Sequence, residues 1–287
     1  MVLPNQGYEN ELLNREFTDG EIQKCIKKLK TRKSAGVDHI LNEYLMASGD
    51  VMLPVFTKLF NLILKTGMFP SSWTAGIIIP IYKNKGEKDD PDNYRGITLL
   101  SCFSKLFTSA LNHRITEYIE SHSLMGEEQA GFRSGYGTMD HIFTLKCIID
   151  IYLNKKKKLY AAFIDYRKAF DSVWRIGLWQ KLLKHNINGR VFKVITSLYG
   201  QVKSCVKTKE GISDYFRCSI GVRQGENLSP LLFSLFLNDM AEFISHAYHG
   251  LTVVSDITHL MLDDEDVEVF LQLYLLLYAD DTIIFAE

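Results

Sequence analysis

The stretch Leu275-Leu276-Leu277-Tyr278-Ala279-Asp280-Asp281-Thr282-Ile283-Ile284-Phe285 sets two adjacent carboxylates between two apolar runs. Leu, Ile, Phe and Tyr suit a buried pleated surface and Ala-Asp-Asp suits a turn, so the pattern predicts a β-hairpin with acids at its tip. Carboxylates on an apolar ribbon lose part of their hydration, and they either bind cations or stay there at a free-energy cost. An ordinary exposed turn uses the same residues, and the hairpin alone does not separate the two readings.

A second segment does. Tyr160-Ala161-Ala162-Phe163-Ile164 is another near-continuous apolar run, expected as a strand of a buried sheet, and it ends in Asp165. If both strands deliver their acids to one sheet end, Asp165 and Asp280 stand side by side although 115 positions separate them. Hard oxygen ligands on rigid elements suit Mg²⁺, and two such ions activate a 3′-hydroxyl, steady a leaving pyrophosphate and neutralise charge on a phosphoryl group.

Working outward, the first helix is legible residue by residue: Thr18 as N-cap, Glu21 completing a capping box, Phe17 stapling onto Ile22, and an apolar stripe through Ile26 and Leu29. A second helix is predicted over Asp50–Lys65 with Leu53, Phe56, Leu59, Phe60 and Ile63 inward and Gly67 as its stop. Ala75–Tyr82 reads as a strand, residues 84–93 as a polar turn, and Ile97–Leu100 as the returning strand. Helices follow near Phe103–Ser121 and Met139–Leu153. After Lys155–Lys158 come the strand ending at Asp165, helices over Ile176–Ile187 and Gly189–Leu198, and a hairpin over Val202–Ile220 turning near Gly211. Ser229 and Pro230 open a further helix as N-cap and N1. This succession implies an α+β fold: an antiparallel sheet with helices on one face.

The 287 residues, 46% of them hydrophobic, exclude general disorder and are long enough for two subdomains. A formal charge of −1 hides clusters. Lys24, Lys27, Lys28, Lys30, Arg32 and Lys33 form one basic stretch and Lys155–Lys158 another, while acids gather at Asp263, Asp264, Glu265, Asp266 and Glu268. Each is either a solvated face or, for the basic ones, a phosphate contact. Cys25, Cys102, Cys147, Cys205 and Cys218 lack metal or disulfide spacing, which fits a reducing, intracellular setting. His246 and His249 read as a polar helix end. No signal peptide and no apolar run of membrane-spanning length is expected.

The chain resembles the reverse transcriptases of non-LTR (LINE-type) retrotransposons, most like the jockey-like and RTE-like groups. The resemblance runs from about Phe17 to the last residue. It rests on seven motifs in family order: Lys33-Ser34-Ala35-Gly36-Val37-Asp38; Ile79-Pro80-Ile81-Tyr82-Lys83; Asn93 to Leu99; Gln129-Ala130-Gly131-Phe132-Arg133; Phe163 to Asp171; Gly221-Val222-Arg223-Gln224-Gly225 before Leu228-Ser229-Pro230; and Tyr278-Ala279-Asp280-Asp281. It implies a right-hand polymerase fold made of fingers and a truncated palm, with the thumb absent. An extension over 1–16 precedes fingers over 17–158 and palm over 159–287, the reverse transcriptase domain itself covering about 63–287.

The resemblance further implies an RNA-directed DNA polymerase acting on an RNA template, a DNA primer and dNTPs, with two Mg²⁺ ions on Asp165 and Asp280 and with Asp281 as auxiliary acid. Phe170 would pack beneath the incoming sugar, where a bulky ring clashes with a ribose 2′-hydroxyl. Arg223, Gln224 and Gly225 would meet the nucleotide, and Lys83, Lys85 and Arg95 would clamp the triphosphate, Arg through its planar fork. Gln129, Gly131, Phe132 and Arg133 would line the template track. Asp171 reads rather as a structural cap of the helix containing Val173 and Trp174 than as a site residue.

Gly96, Ala35, His39 and Gly137 depart from common family residues, none at a catalytic position. Only six residues follow Asp281, and there is no room before Phe17 for an endonuclease domain. The expectation is therefore a fragment with little processive activity alone, located in the cytoplasm and nucleus within a retroelement ribonucleoprotein. The competing readings are a non-catalytic remnant that binds RNA or protein, and a viral RNA-dependent RNA polymerase, which Tyr278-Ala279 and Phe170 both disfavour.

Overall fold

The computed structural model describes residues 10–247, 251–256, 268–273 and 275–286. His249 and the acids at 263–266 lie outside the described residues, as does the side chain of Glu268. The chain divides into two compact units, Met1–Leu124 with Phe170–Phe233, and Met125–Ala169 with Ser234–Glu287.

In the first unit, helices α1 (Glu11–Asn14), α2 (Asp19–Lys27), α3 (Asn42–Thr66) and α4 (Cys102–Ser121) accompany strands β1 (Ala75–Tyr82) and β2 (Tyr94–Leu99). The second unit opens with α5 (Thr138–Asn154) and β3 (Tyr160–Asp165). Helix α6 (Ala169–Ser172) leads back into the first unit, which continues with α7 (Arg175–Lys184), α8 (Gly189–Gly200), β4 (Lys203–Val206) and β5 (Phe216–Arg217). After α9 (Ser229–Leu237), the second unit is completed by α10 (Met240–Ala247), β6 (Leu251–Asp256), β7 (Glu268–Leu273), β8 (Leu275–Tyr278) and β9 (Asp281–Ala286).

Local chemistry explains α2, the helix expected after Thr18, although the four-residue α1 precedes it. The Thr18 hydroxyl accepts from the Glu21 N–H at 3.3 Å, and the Glu21 carboxylate accepts from the Thr18 N–H at 2.9 Å, which together form a capping box. Phe17 and Ile22 are both buried. The buried guanidinium of Arg114 lies 4.0 Å from the Phe17 ring centroid and donates to the carbonyls of Leu13 and Glu16 and to Glu21. One side chain of α4 thus fastens the segment that leads into α2.

Helix α3 runs to 25 residues, longer than the predicted Asp50–Lys65, and ends where Gly67 takes φ +69°. Gly49 and Pro54, ordinarily breakers, are accommodated inside it: Pro54 removes one ladder bond, and Gly49 lies against the side chain of Ile26. By length and composition alone α3 is apolar enough to cross a membrane, which corrects the expectation that no such run exists. Its buried Leu45, Phe56, Phe60, Ile63 and Leu64 nevertheless pack as in a core helix, against α2, α4 and α8. Phe56, Phe60, Phe69, Trp73, Phe103 and Phe107 meet edge to face or tilted, with Phe60 and Phe107 centroids 5.2 Å apart.

The sheet of this unit has the order β2-β1-β4-β5. Its outer pairs are antiparallel, but β1 and β4 run parallel from Ala75 opposite Lys203 to Ile78 opposite Val206. The 202–220 hairpin therefore joins the β1–β2 sheet and not the sheet that carries Asp165. A wholly antiparallel sheet was expected; a parallel pairing across some 130 residues leaves no local trace, because no turn fixes it.

In the second unit β3, β9 and β8 form an antiparallel sheet with β9 at its centre. Ile148 and Tyr152 of α5 bury Leu251, Leu276 and Phe285 beneath them. Strand β3 was expected to be buried; it is an edge strand and is exposed throughout, Phe163 at 71%. The α5 cover rests on β8 and β9, so the apolar run of β3 reflects strand propensity and not a two-sided core.

Burial alone would raise the Glu21 carboxyl, but the Thr18 N–H and the Arg114 guanidinium outweigh it and hold the group below its ordinary value of 4.5. A depressed folded pKa stabilises the protein above the unfolded value and ceases to do so as pH falls through the folded one. Urea unfolding should therefore show the wild type more stable than Glu21→Gln at pH 7, with the gap closing as pH drops below 4.5.

Candidate active site

The hairpin expected from residues 275–285 forms with Ala279 and Asp280 as its two-residue turn, Tyr278 pairing with Asp281. On the other side of β9 the register places Asp165 opposite Asp281. Two positions 116 apart in sequence thus face each other across one antiparallel rung, and Asp280 stands next to them in the turn. Asp165 and Asp281 are exposed and Asp280 is half-buried, so all three acids meet solvent at one end of the sheet.

No group of three His, Cys, Asp or Glu side chains among the described residues is close enough to enclose a metal. Mg²⁺ does not require such a cage, since it keeps waters and binds through one or two carboxylates together with substrate phosphates. Three solvent-facing carboxylates with hard oxygen donors fit that chemistry.

Ala279 takes φ +60°, a conformation that glycine or asparagine ordinarily supplies in a two-residue hairpin. The segment Gln129 to Arg133 lies against it. Gln129 is 1% exposed, and its Oε1 accepts from the Ala279 N–H at 3.1 Å and from the Gly131 N–H at 2.8 Å. A Cβ on Gly131 would stand 2.1 Å from the Ala279 nitrogen, so glycine is required there. Arg133 turns back on its own loop, donating to the carbonyls of Gly126 and Gln129 and lying over the Tyr136 ring. Of the four residues expected along a template track, Phe132 presents its side chain outward, at 54% exposure.

The remaining expected residues belong to the other unit. Phe170 stacks on Phe233, centroids 4.8 Å apart and planes 12° from parallel, so its ring is held in one plane. Gly221, at φ +77°, has the Asp171 backbone where its Cβ would be, and its N–H donates to the Val173 carbonyl. Gln224 donates to both carboxylate oxygens of Asp171, 3.0 and 3.1 Å away, so Asp171 braces this loop in place of capping a helix.

Arg223 points into the protein. It is 6% exposed, donates to the carbonyls of Trp73 and Ala75, and pairs with the buried Glu226 at 3.7 Å. Glu226 in turn accepts from the Thr108 hydroxyl. Lys83, Lys85 and Arg95 are exposed at the loop end of the β1–β2 hairpin, Arg95 opposite Ile81, with the Lys83 ammonium on the Asp92 carbonyl.

Two contributors escaped the sequence reading. The spacing of Arg223 and Glu226, three apart, was the available signal for the buried pair. His141 donates through Nε2 to the carbonyls of Leu277 and Glu128 and gave no signal at all, because its partners are backbone groups.

A family model described as reverse transcriptase (RNA-dependent DNA polymerase) matches residues 82–287. The chain is 31% identical over 229 residues to a probable RNA-directed DNA polymerase from transposon BS of Drosophila melanogaster, covering 80% of this chain and 25% of that protein. It is 28% identical over 267 residues to the RNA-directed DNA polymerase from mobile element jockey of the same species, covering 93% and 27% respectively. A Pol polyprotein from type-1 retrotransposable element R2 of Nasonia vitripennis is 29% identical over 181 residues, 63% of this chain and 17% of that protein. The chain thus spans about a quarter of the length of the first two of these relatives.

Arg223→Ala strands Glu226 without its charge partner, and the folding free energy is expected to fall by about 3–5 kcal/mol, measured by denaturant unfolding.

Proposed function

The chain belongs to the reverse transcriptase (RNA-dependent DNA polymerase) family, and on that premise we propose that it is the polymerase domain of a non-LTR retrotransposon protein, transferring deoxynucleoside monophosphates to a primer 3′-hydroxyl on an RNA template. The observation that carries this reading is the register of β3 on β9, which sets Asp165 opposite Asp281 beside the Asp280 turn. We read the sheet β3-β9-β8 as belonging to the palm of a right-hand fold and the β1–β2 hairpin as belonging to the fingers.

In the reaction the primer oxygen attacks the α-phosphorus, the new P–O bond forms, and pyrophosphate leaves with the electrons of the broken bond. Asp165 and Asp280 would hold two Mg²⁺ ions, which when bound supply Lewis-acid activation of the hydroxyl and charge neutralisation at the leaving group. Asp281 adds negative charge at the same sheet end. Lys83, Lys85 and Arg95, exposed and basic, are suited to triphosphate oxygens. Arg223 contributes from inside, keeping the loop of Gln224 and Gly225 in place. The ring of Phe170, stacked on Phe233, acts as a steric gate that refuses a ribose 2′-hydroxyl.

The chain joined to the segment that follows the matching region in the jockey relative should incorporate dTTP on poly(rA)/oligo(dT) with Mg²⁺. Asp165→Ala and Asp280→Ala are expected to lower that rate by at least about 10²-fold without unfolding the protein. Folded variants with unchanged incorporation would overturn the assignment of the acids. In the same assay Phe170→Val should raise the use of rNTPs relative to dNTPs, read as the ratio of the two kcat/KM values.

A further inference from the structure

Resting on the reading of Asp165 and Asp280 as the acids that hold the divalent ions, we propose that Gln129 is the positioning residue of the Asp280 turn, acting through the backbone of Ala279. The turn needs outside support. A left-handed alanine is disfavoured by roughly 1–2 kcal/mol relative to its ordinary conformations and persists only where its surroundings over-determine it. The hairpin's own ladder ends at Tyr278 and Asp281, the residues that flank the two-residue tip, and leaves Ala279 and Asp280 outside its pairing.

A single side chain supplies what the ladder lacks. The Gln129 Oε1 accepts the Ala279 N–H at 3.1 Å, and its Nε2 reaches the Ala279 carbonyl at 3.5 Å, so both polar backbone groups of Ala279 address one amide. That amide is itself fixed, because Oε1 also accepts the Gly131 N–H at 2.8 Å. Its backbone is fixed as well: Leu277 N–H donates to the Glu128 carbonyl at 2.7 Å, and Ala130 N–H donates to the Leu277 carbonyl at 2.9 Å, a short parallel rung on the free edge of β8. Gly131 allows this approach, since any Cβ would collide with the Ala279 nitrogen.

A residue that read the template would present its amide to solvent, whereas Gln129 is buried with every amide contact directed at the turn or its own loop. The consequence concerns geometry at the metal. Displacement of a reacting group by about 1 Å costs on the order of 10²-fold in rate, and outer partners of metal ligands typically govern 10- to 100-fold in affinity.

The test uses Mn²⁺ as the probe, its binding to the chain followed by the EPR signal of the free ion, with circular dichroism to establish folding. Wild type should bind Mn²⁺ and Asp280→Asn should lose that binding. Gln129→Leu, which removes both the acceptor and the donor, should weaken binding by roughly tenfold or more. Gln129→Glu, which keeps the acceptor for both N–H groups in the same shape, should bind within about threefold of wild type or more tightly. Folded Gln129→Leu that binds like wild type overturns the proposal, and so does Gln129→Glu as weak as Gln129→Leu, which would mark a packing role.

Wild-type chain without Asp280-dependent binding overturns the metal reading itself, and the Asp280→Asn control separates that failure from failure of Gln129 alone. Should Gln129→Leu not fold, amide hydrogen exchange of the wild type decides. An Ala279 N–H exchanging as slowly as the β8–β9 ladder amides upholds the proposal, and exchange at the rate of a free loop overturns it.

Discussion

The antiparallel register between β3 and β9 is the constraint on which the candidate site depends. Side chains alternate across a strand, so a slip of one residue would move Asp165 to the opposite face from Asp281 and separate the acids. The β8–β9 half of the sheet, on which β3 pairs, is fixed by several contacts together. Leu276 and Phe285 are buried under Ile148 and Tyr152, the two-residue turn fixes the offset of β8 on β9, and the parallel rung at Gln129 and Leu277 pins β8 from its other edge. The site is therefore built at the rigid end of a sheet, with its acids toward water and its apolar residues beneath the helix.

In the other unit the same economy appears around the Gly221–Asn227 loop. Arg223 and Glu226 form a pair buried among Thr108 and the carbonyls of Trp73 and Ala75, and Arg175 donates to the carbonyls of Tyr199, Ile220 and Gly221. Burial pushes the Tyr199 phenol up to about 12, so it remains protonated and shares a hydrogen bond with Ser229 at 3.0 Å. A loop held by charges and hydroxyls from inside leaves its outer backbone free of that task. Asp171, on the short helix α6, braces Gln224 through both of its carboxylate oxygens.

Much of this was legible in the sequence wherever the determining interaction is local. The capping box at Thr18 and Glu21, the limits of β1, the stop at Gly67 and the acid-tipped hairpin all depend on residues within a few positions of one another. Legibility failed where distant partners decide. Helix α3 continues through Gly49 and Pro54 because α2, α4 and α8 reward its burial; β3 is exposed although it reads as buried, because α5 covers its neighbours. The parallel contact of β1 with β4 has no turn to announce it.

By itself, then, the sequence determined the identity and order of the chemical groups: acids at 165, 280 and 281, an aromatic at 170, basic residues on a hairpin, and a motif set that places the chain in its family. Tertiary structure decided which of those groups face solvent and which serve the frame. Gln129 and Arg223 both sit in motifs that suggest ligand contact, yet both are buried on backbone groups far away in sequence. The physical reason is that an amide or guanidinium satisfies a substrate and a distant peptide group equally well, and only the folded chain determines which of the two lies within hydrogen-bonding distance.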